Sequence, residues 1–162
     1  MPTERSNEDQ DPGLRIARID DAVAGVFEIM LRQRCVPVDR PSSVIASLSD
    51  RNIEAKIAFS GTLAGQCAVR ASIATASLLT SALLGAEGNW DNAMIDDAMG
   101  ELCNMIAGGW KSALDASGAM CHISVPTVSR SYPTQTPHDT AITTRRFYSF
   151  NGSPLEVALT IT

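Results

Sequence analysis

From about Asp91 or Asn92 to about Ala116 the chain winds as one helix with two unlike sides, and this segment restricts what the rest can fold into. With Ile95 at zero and an advance of 100° per residue, Ala98, Met99, Leu102, Ile106, Trp110 and Ala113 fall within about 60° of it. Asp97, Glu101, Asn104, Gly108, Lys111 and Asp115 collect on the opposite side. So long an apolar stripe must lie against another layer. Gly118 is placed as the residue that stops the helix.

The second layer is found where the hydrophobic period changes. In Ile53-Glu54-Ala55-Lys56-Ile57-Ala58-Phe59 apolar side chains alternate with polar or small ones; Ser60-Gly61 supplies a turn, and Leu63, Gly65, Cys67 and Val69 alternate again. This predicts a β-hairpin. Cys121 to Val125 reads as a strand closed by Pro126. Arg146 to Phe150, a turn at Asn151-Gly152-Ser153-Pro154, and Leu155, Val157, Leu159 and Ile161 read as a second hairpin. Two more helices are predicted. The first runs from Ile16 to about Cys35, ended by Pro37 and Pro41; the second is capped by Ser72 and stopped at Gly85. Ser129 to Thr140 reads as a loop. The expected fold is α+β, a mixed or antiparallel sheet of about five strands with helices packed over it. Residues 1–13 are expected to be a flexible tail and 14–162 the single domain that 162 residues can form.

Charge and composition exclude several functions. Thirteen basic against eighteen acidic residues give a net charge of −5, the wrong sign for binding a phosphate backbone, so no nucleic-acid partner is expected. The longest uncharged stretch, Ala71 to Ala86, has 16 residues and several hydroxyls, too few and too polar for a bilayer span. The opening MPTERSNEDQDPG is acidic without an apolar core, and a cytoplasmic location is expected. Cys35, Cys67, Cys103 and Cys121 lie far apart in apolar neighbourhoods and read as buried free thiols. No phosphate loop, HExxH or GxSxG is present, and His122 and His138 have no carboxylate or cysteine at ligand spacing, so no metal site is expected.

The polar side of the long helix is where chemistry concentrates. Glu101 and Asn104, at i and i+3, project together from one face, as side chains on any solvated helix face would. Two features set them apart. Glu87, Asp91, Asp96, Asp97 and Glu101 form an acidic run with no base between residues 86 and 101. Gly108-Gly109 costs about 1 kcal/mol per residue in a helix interior, which suggests close approach of another backbone.

At these residues the sequence resembles the CheX-like chemotaxis phosphatases, relatives of CheC. Asp97, Glu101 and Asn104 fill the family's pattern of Asp or Ser, three residues, Glu, two residues, Asn. NMIAGGWKSAL (Asn104 to Leu114) and ISVPTV (Ile123 to Val128) look like the family's helix continuation and its strand ending in Pro-Thr. The family commonly has a glycine after that strand, where this chain has Ser129, Arg130 and Ser131. The first helix shows Asp20-Asp21, Gly25 and Glu28 with no Asn three residues on, which favours CheX, with one motif, over CheC, with two.

The resemblance implies an enzyme that hydrolyses the aspartyl phosphate of a phosphorylated CheY-like response regulator. Asn104 would hold the attacking water and Glu101 would bridge to the regulator's lysine; these are the two catalytic candidates. Asp97, Gly108 and Lys111 would touch the partner. The enzyme would have no cofactor of its own, Mg²⁺ coming with the receiver domain, and would form a homodimer by joining sheets. The alternatives are a receiver-binding scaffold on the same fold that docks without hydrolysing, and a structural domain sharing the fold alone.

Overall fold

The computed structural model describes residues 12–39, 52–116, 120–130 and 142–162. Helix α1 spans Pro12–Ala24 and runs on through a π-helical turn, Gly25–Met30. Strands β1 (Cys35–Val38), β2 (Asn52–Gly61) and β3 (Gly65–Ser72) follow, then helices α2 (Ile73–Leu84) and α3 (Asn92–Ala116). Strands β4 (Cys121–Ile123), β5 (Thr127–Ser129), β6 (Ile142–Phe150) and β7 (Ser153–Ile161) complete the described chain.

All pairings are antiparallel, in the order β1-β6-β7-β3-β2-β4, with β5 also on β2. The α+β class stands, but the sheet has seven strands rather than about five. One extra strand, β1, contains Pro37, which reads locally as a helix breaker and is tolerated here because β1 is an edge strand. The other arises because the strand expected from Cys121 to Val125 ends at Ile123 and pairing resumes at Thr127. The first helix stops at Met30, five residues short of the expected end. It already includes Pro12 and Gly13, and Pro12 suits a first helical position, where no N–H is needed. Residues 1–11 of the expected tail, Pro41, Gly118 and the expected loop from Ser131 onward lie outside the described residues.

Local chemistry explains the elements that match. Ser72 Oγ accepts from the Thr75 N–H at 3.1 Å, capping α2, and Gly85 closes it in the left-handed region at φ 63°. Asn151 and Gly152, at φ 49° and 80°, make the two-residue turn that joins β6 to β7 with the twist of a hairpin.

One face of the sheet carries Ile53, Ala55, Ile57 and Phe59 from β2, Cys67, Val69 and Ala71 from β3, and Leu155, Val157 and Leu159 from β7. These merge with the helices in one core. Leu102, Ile106, Trp110 and Leu114 enter it from α3, and the Phe59 and Trp110 rings lie 4.8 Å apart. Leu114 is buried where the wheel favoured Ala113, because the helix docks along its i+4 ridge. All four cysteines are buried free thiols, and burial pushes Cys35 up to about 12. The other face of the sheet is polar. There Glu54 bonds Lys56 and Arg70, and Glu156 bonds Arg145. No described helix is long and apolar enough to cross a membrane.

Asp20 fastens α1 to β6. It accepts from Arg146 Nε and Nη2 at 2.9 and 2.7 Å and from the Tyr148 hydroxyl at 2.6 Å. Burial alone would raise its pKa, but the bonds from Arg146 and Tyr148 and the Arg146 charge outweigh burial and hold it below the ordinary 3.8.

Asp20→Ala should cost about 1–3 kcal/mol at neutral pH, by leaving half-buried donors unpaired. The carboxylate's contribution is complete above its ordinary pKa and is lost as pH falls through the lower folded value. The stabilities of the two proteins in urea titrations should therefore begin to converge as pH falls below 3.8. Leu102→Ala, at a fully buried position, should cost about 2–5 kcal/mol by the same measurement.

Candidate functional site

Helix α3 is held on both flanks. On one, a Cβ added to Gly109 would stand 3.5 Å from Ala22 Cβ of α1. On the other, a Cβ on Gly100 would stand 3.4 Å from Pro126 Cγ and 3.6 Å from Val128 Cγ2, in the segment joining β4 to β5. Helix α1 thus meets the glycine pair at Gly109, where an added Cβ would make only ordinary van der Waals contact. At Gly108 nothing lies within 4 Å, so this glycine is not required by packing within the described chain.

Between these flanks runs the exposed crown of the helix. Asp97 and Glu101 are exposed there, while Asn104, Gly108 and Lys111 are half-buried. At 100° per residue, Asn104 lies about 60° round from Glu101, toward the flank that meets Pro126. Among the described residues, the side chains of Asp97, Glu101 and Asn104 have no hydrogen-bond or ion-pair partner. The spacing therefore presents one carboxylate and one carboxamide with their bonding capacity unused.

The acidic run divides by role. Asp91 Oδ1 accepts from the Met94 N–H at 2.9 Å and caps α3. Asp96 pairs with both terminal nitrogens of Arg130, at 2.8 and 3.2 Å, and Arg130 Nη2 also donates to the Asn92 carbonyl at 3.1 Å. Arg130 thus neutralises one acid and ties the end of β5 to the first turns of α3. Lys111 pairs with Asp115 one turn on, so its ammonium is already engaged. His122 is exposed on β4, and His138 lies outside the described residues.

The sequence reading did not assign what three residues do here, although Ser124 and Pro126 stand in the ISVPTV segment that carries part of the resemblance. Gly100 and Pro126 fix the flank beside Asn104, and Ser124 bridges the interrupted edge: its N–H donates to the Ala58 carbonyl at 2.9 Å and its Oγ accepts from the Ala58 N–H at 3.0 Å. For Gly100 the signal available was its place immediately before Glu101.

An antiparallel sheet backed by one long helix is the architecture that the resemblance to the chemotaxis phosphatases leads one to expect. The sequence profile described as Chemotaxis phosphatase CheX matches residues 53–144, more than half of the chain, and the chain belongs to the CheX family. Among curated proteins none matches. Solved structures share the fold. The chain is similar to the chemotaxis protein CheX of Vibrio vulnificus, at TM-score 0.74 and 17% identity over 91% of this chain and 95% of that one. It is similar to a CheX of Desulfovibrio desulfuricans, at 0.74 and 19% over 90% and 97%. It also resembles the CheX in a CheX-CheY-BeF3-Mg complex from Borrelia burgdorferi, at 0.73 and 22% over 90% and 96%.

Gly108→Ala places its methyl group in open space and reduces backbone freedom in the unfolded chain. It should raise stability by up to about 1 kcal/mol in thermal or urea unfolding. A destabilised variant would show that Gly108 is needed for the fold itself.

Proposed function

We propose that this protein accelerates hydrolysis of the aspartyl phosphate of a CheY-like response regulator, with Glu101 and Asn104 as its catalytic residues. The observation that carries this reading is the pair itself: an acid and an amide one turn apart, unengaged, on a helix whose other side is sunk in the core. Family membership and the Borrelia burgdorferi complex with CheY support it, since BeF3 stands in chemically for a phosphoryl group.

Phosphoryl transfer needs a positioned nucleophile and compensated charge more than a strong base. In this reading the Asn104 carboxamide orients a water in line with the acyl-phosphate P–O bond. The water's oxygen bonds to phosphorus as that bond breaks, the electron pair leaves on the regulator's aspartate, and the water's proton passes to phosphate or solvent. Glu101 engages the regulator's lysine and fixes the docking register. The regulator contributes Mg²⁺, so the phosphatase itself needs no cofactor.

Asp97, one turn before Glu101, extends the acidic docking strip. Gly108 leaves room for the partner's backbone, and Lys111 contacts the partner by exchanging Asp115 for an acid on it. Work in the cytoplasm and a homodimer formed by joining sheets belong to the same reading. Docking without hydrolysis is the second reading, favoured by Ser129, Arg130 and Ser131 standing where the family commonly has a glycine.

Asn104→Ala should abolish accelerated phosphate release from a phosphorylated receiver while leaving the unfolding midpoint unchanged. Glu101→Ala should also weaken complex formation. Unaltered release by the folded Asn104→Ala protein would remove the mechanism; tight receiver binding by a wild-type protein that leaves the phosphate lifetime unchanged would favour the scaffold reading.

A further inference from the structure

The edge of the sheet beside α3 is broken in a particular way. β4 pairs with Phe59 to Gly61 of β2 and β5 with Glu54 to Lys56, and Ser124 bridges the gap through both its N–H and its hydroxyl to Ala58. Pro126 then returns onto Gly100. Between these anchors Val125 stands 80% exposed.

Single exposed valines are ordinary on protein surfaces. This one differs in its support and its neighbours. The residues on both sides of it are fixed, so little conformational freedom remains to be lost when the side chain is covered. Its place along α3 is also set. Arg130 reaches Asn92 and Asp96, Pro126 reaches Gly100, and Phe59, the partner of Ile123 in β4, stacks on Trp110 further along the same helix, so the strand segment runs antiparallel to α3. Asn104 follows Gly100 by four residues, about 6 Å along the axis, on the flank that meets Pro126, the residue after Val125.

We propose that Val125 is an apolar docking point for the receiver domain, covering the edge of the ExxN site when the partner binds. This rests on the receiver being the partner. The chemistry favours that occupant: a water held by an amide needs its surroundings closed to bulk solvent, and a rigid apolar rim next to a polar centre supplies that closure.

The test is the affinity of the full chain for CheY-like receiver domains loaded with BeF3 and Mg²⁺, which reads docking whether or not hydrolysis follows. Val125→Ser should raise Kd about fivefold to tenfold. Val125→Ile should bind like wild type, as should Ile29→Ser, a change at an equally exposed apolar residue on the π-helical turn. Wild-type affinity in Val125→Ser, or an equal loss in Ile29→Ser, would overturn the proposal. Val125-dependent binding by a wild-type protein that does not shorten the phosphate lifetime would sustain it while sinking the phosphatase reading; no binding to any receiver would sink both.

Discussion

The docking of α3 onto β2 and β3 is the contact on which the other features depend. Leu102, Ile106, Trp110 and Leu114 form one ridge buried against the sheet, and the same helix is wedged between Ala22 and Pro126. A helix buried along one ridge and bounded on both flanks cannot roll without opening the core. The direction in which Glu101 and Asn104 point is therefore set by hydrophobic packing rather than by any bond those two residues make. This suits a site whose polar groups must remain available to another molecule. A side chain held by an internal hydrogen bond would have to release it on binding, whereas one held by its backbone does not.

What could be read from the sequence follows from the range of the interactions involved. The α2 cap at Ser72, the stop at Gly85, the Asn151-Gly152 turn and the long amphipathic helix are decided within a few residues, and all appear where local chemistry puts them. Strand β1 was hidden because Pro37 is a strong local signal against regular structure, overruled by pairing with β6 more than a hundred residues away. The interruption at residues 124–126 depends on Ala58 and Gly100, which no local pattern connects.

The site shows the same division. The spacing of Glu101 and Asn104 and their place on the polar side of a helix were legible, and so was the resemblance they carry. The division of labour among the acids was not. Asp91 serves as a cap and Asp96 as the partner of Arg130, so the run that reads as one negative field presents mainly Asp97 and Glu101 at the crown. Arg130 lies thirty-four residues from Asp96, and the fold alone brings them together.

The broken edge of β4 and β5 bears also on self-association. A long unpaired strand edge offers a continuous row of backbone donors and acceptors on which a foreign chain can zip. Two three-residue strands separated by a proline kink present no such row. The side of the molecule proposed to meet the receiver is thus a poor template for aggregation.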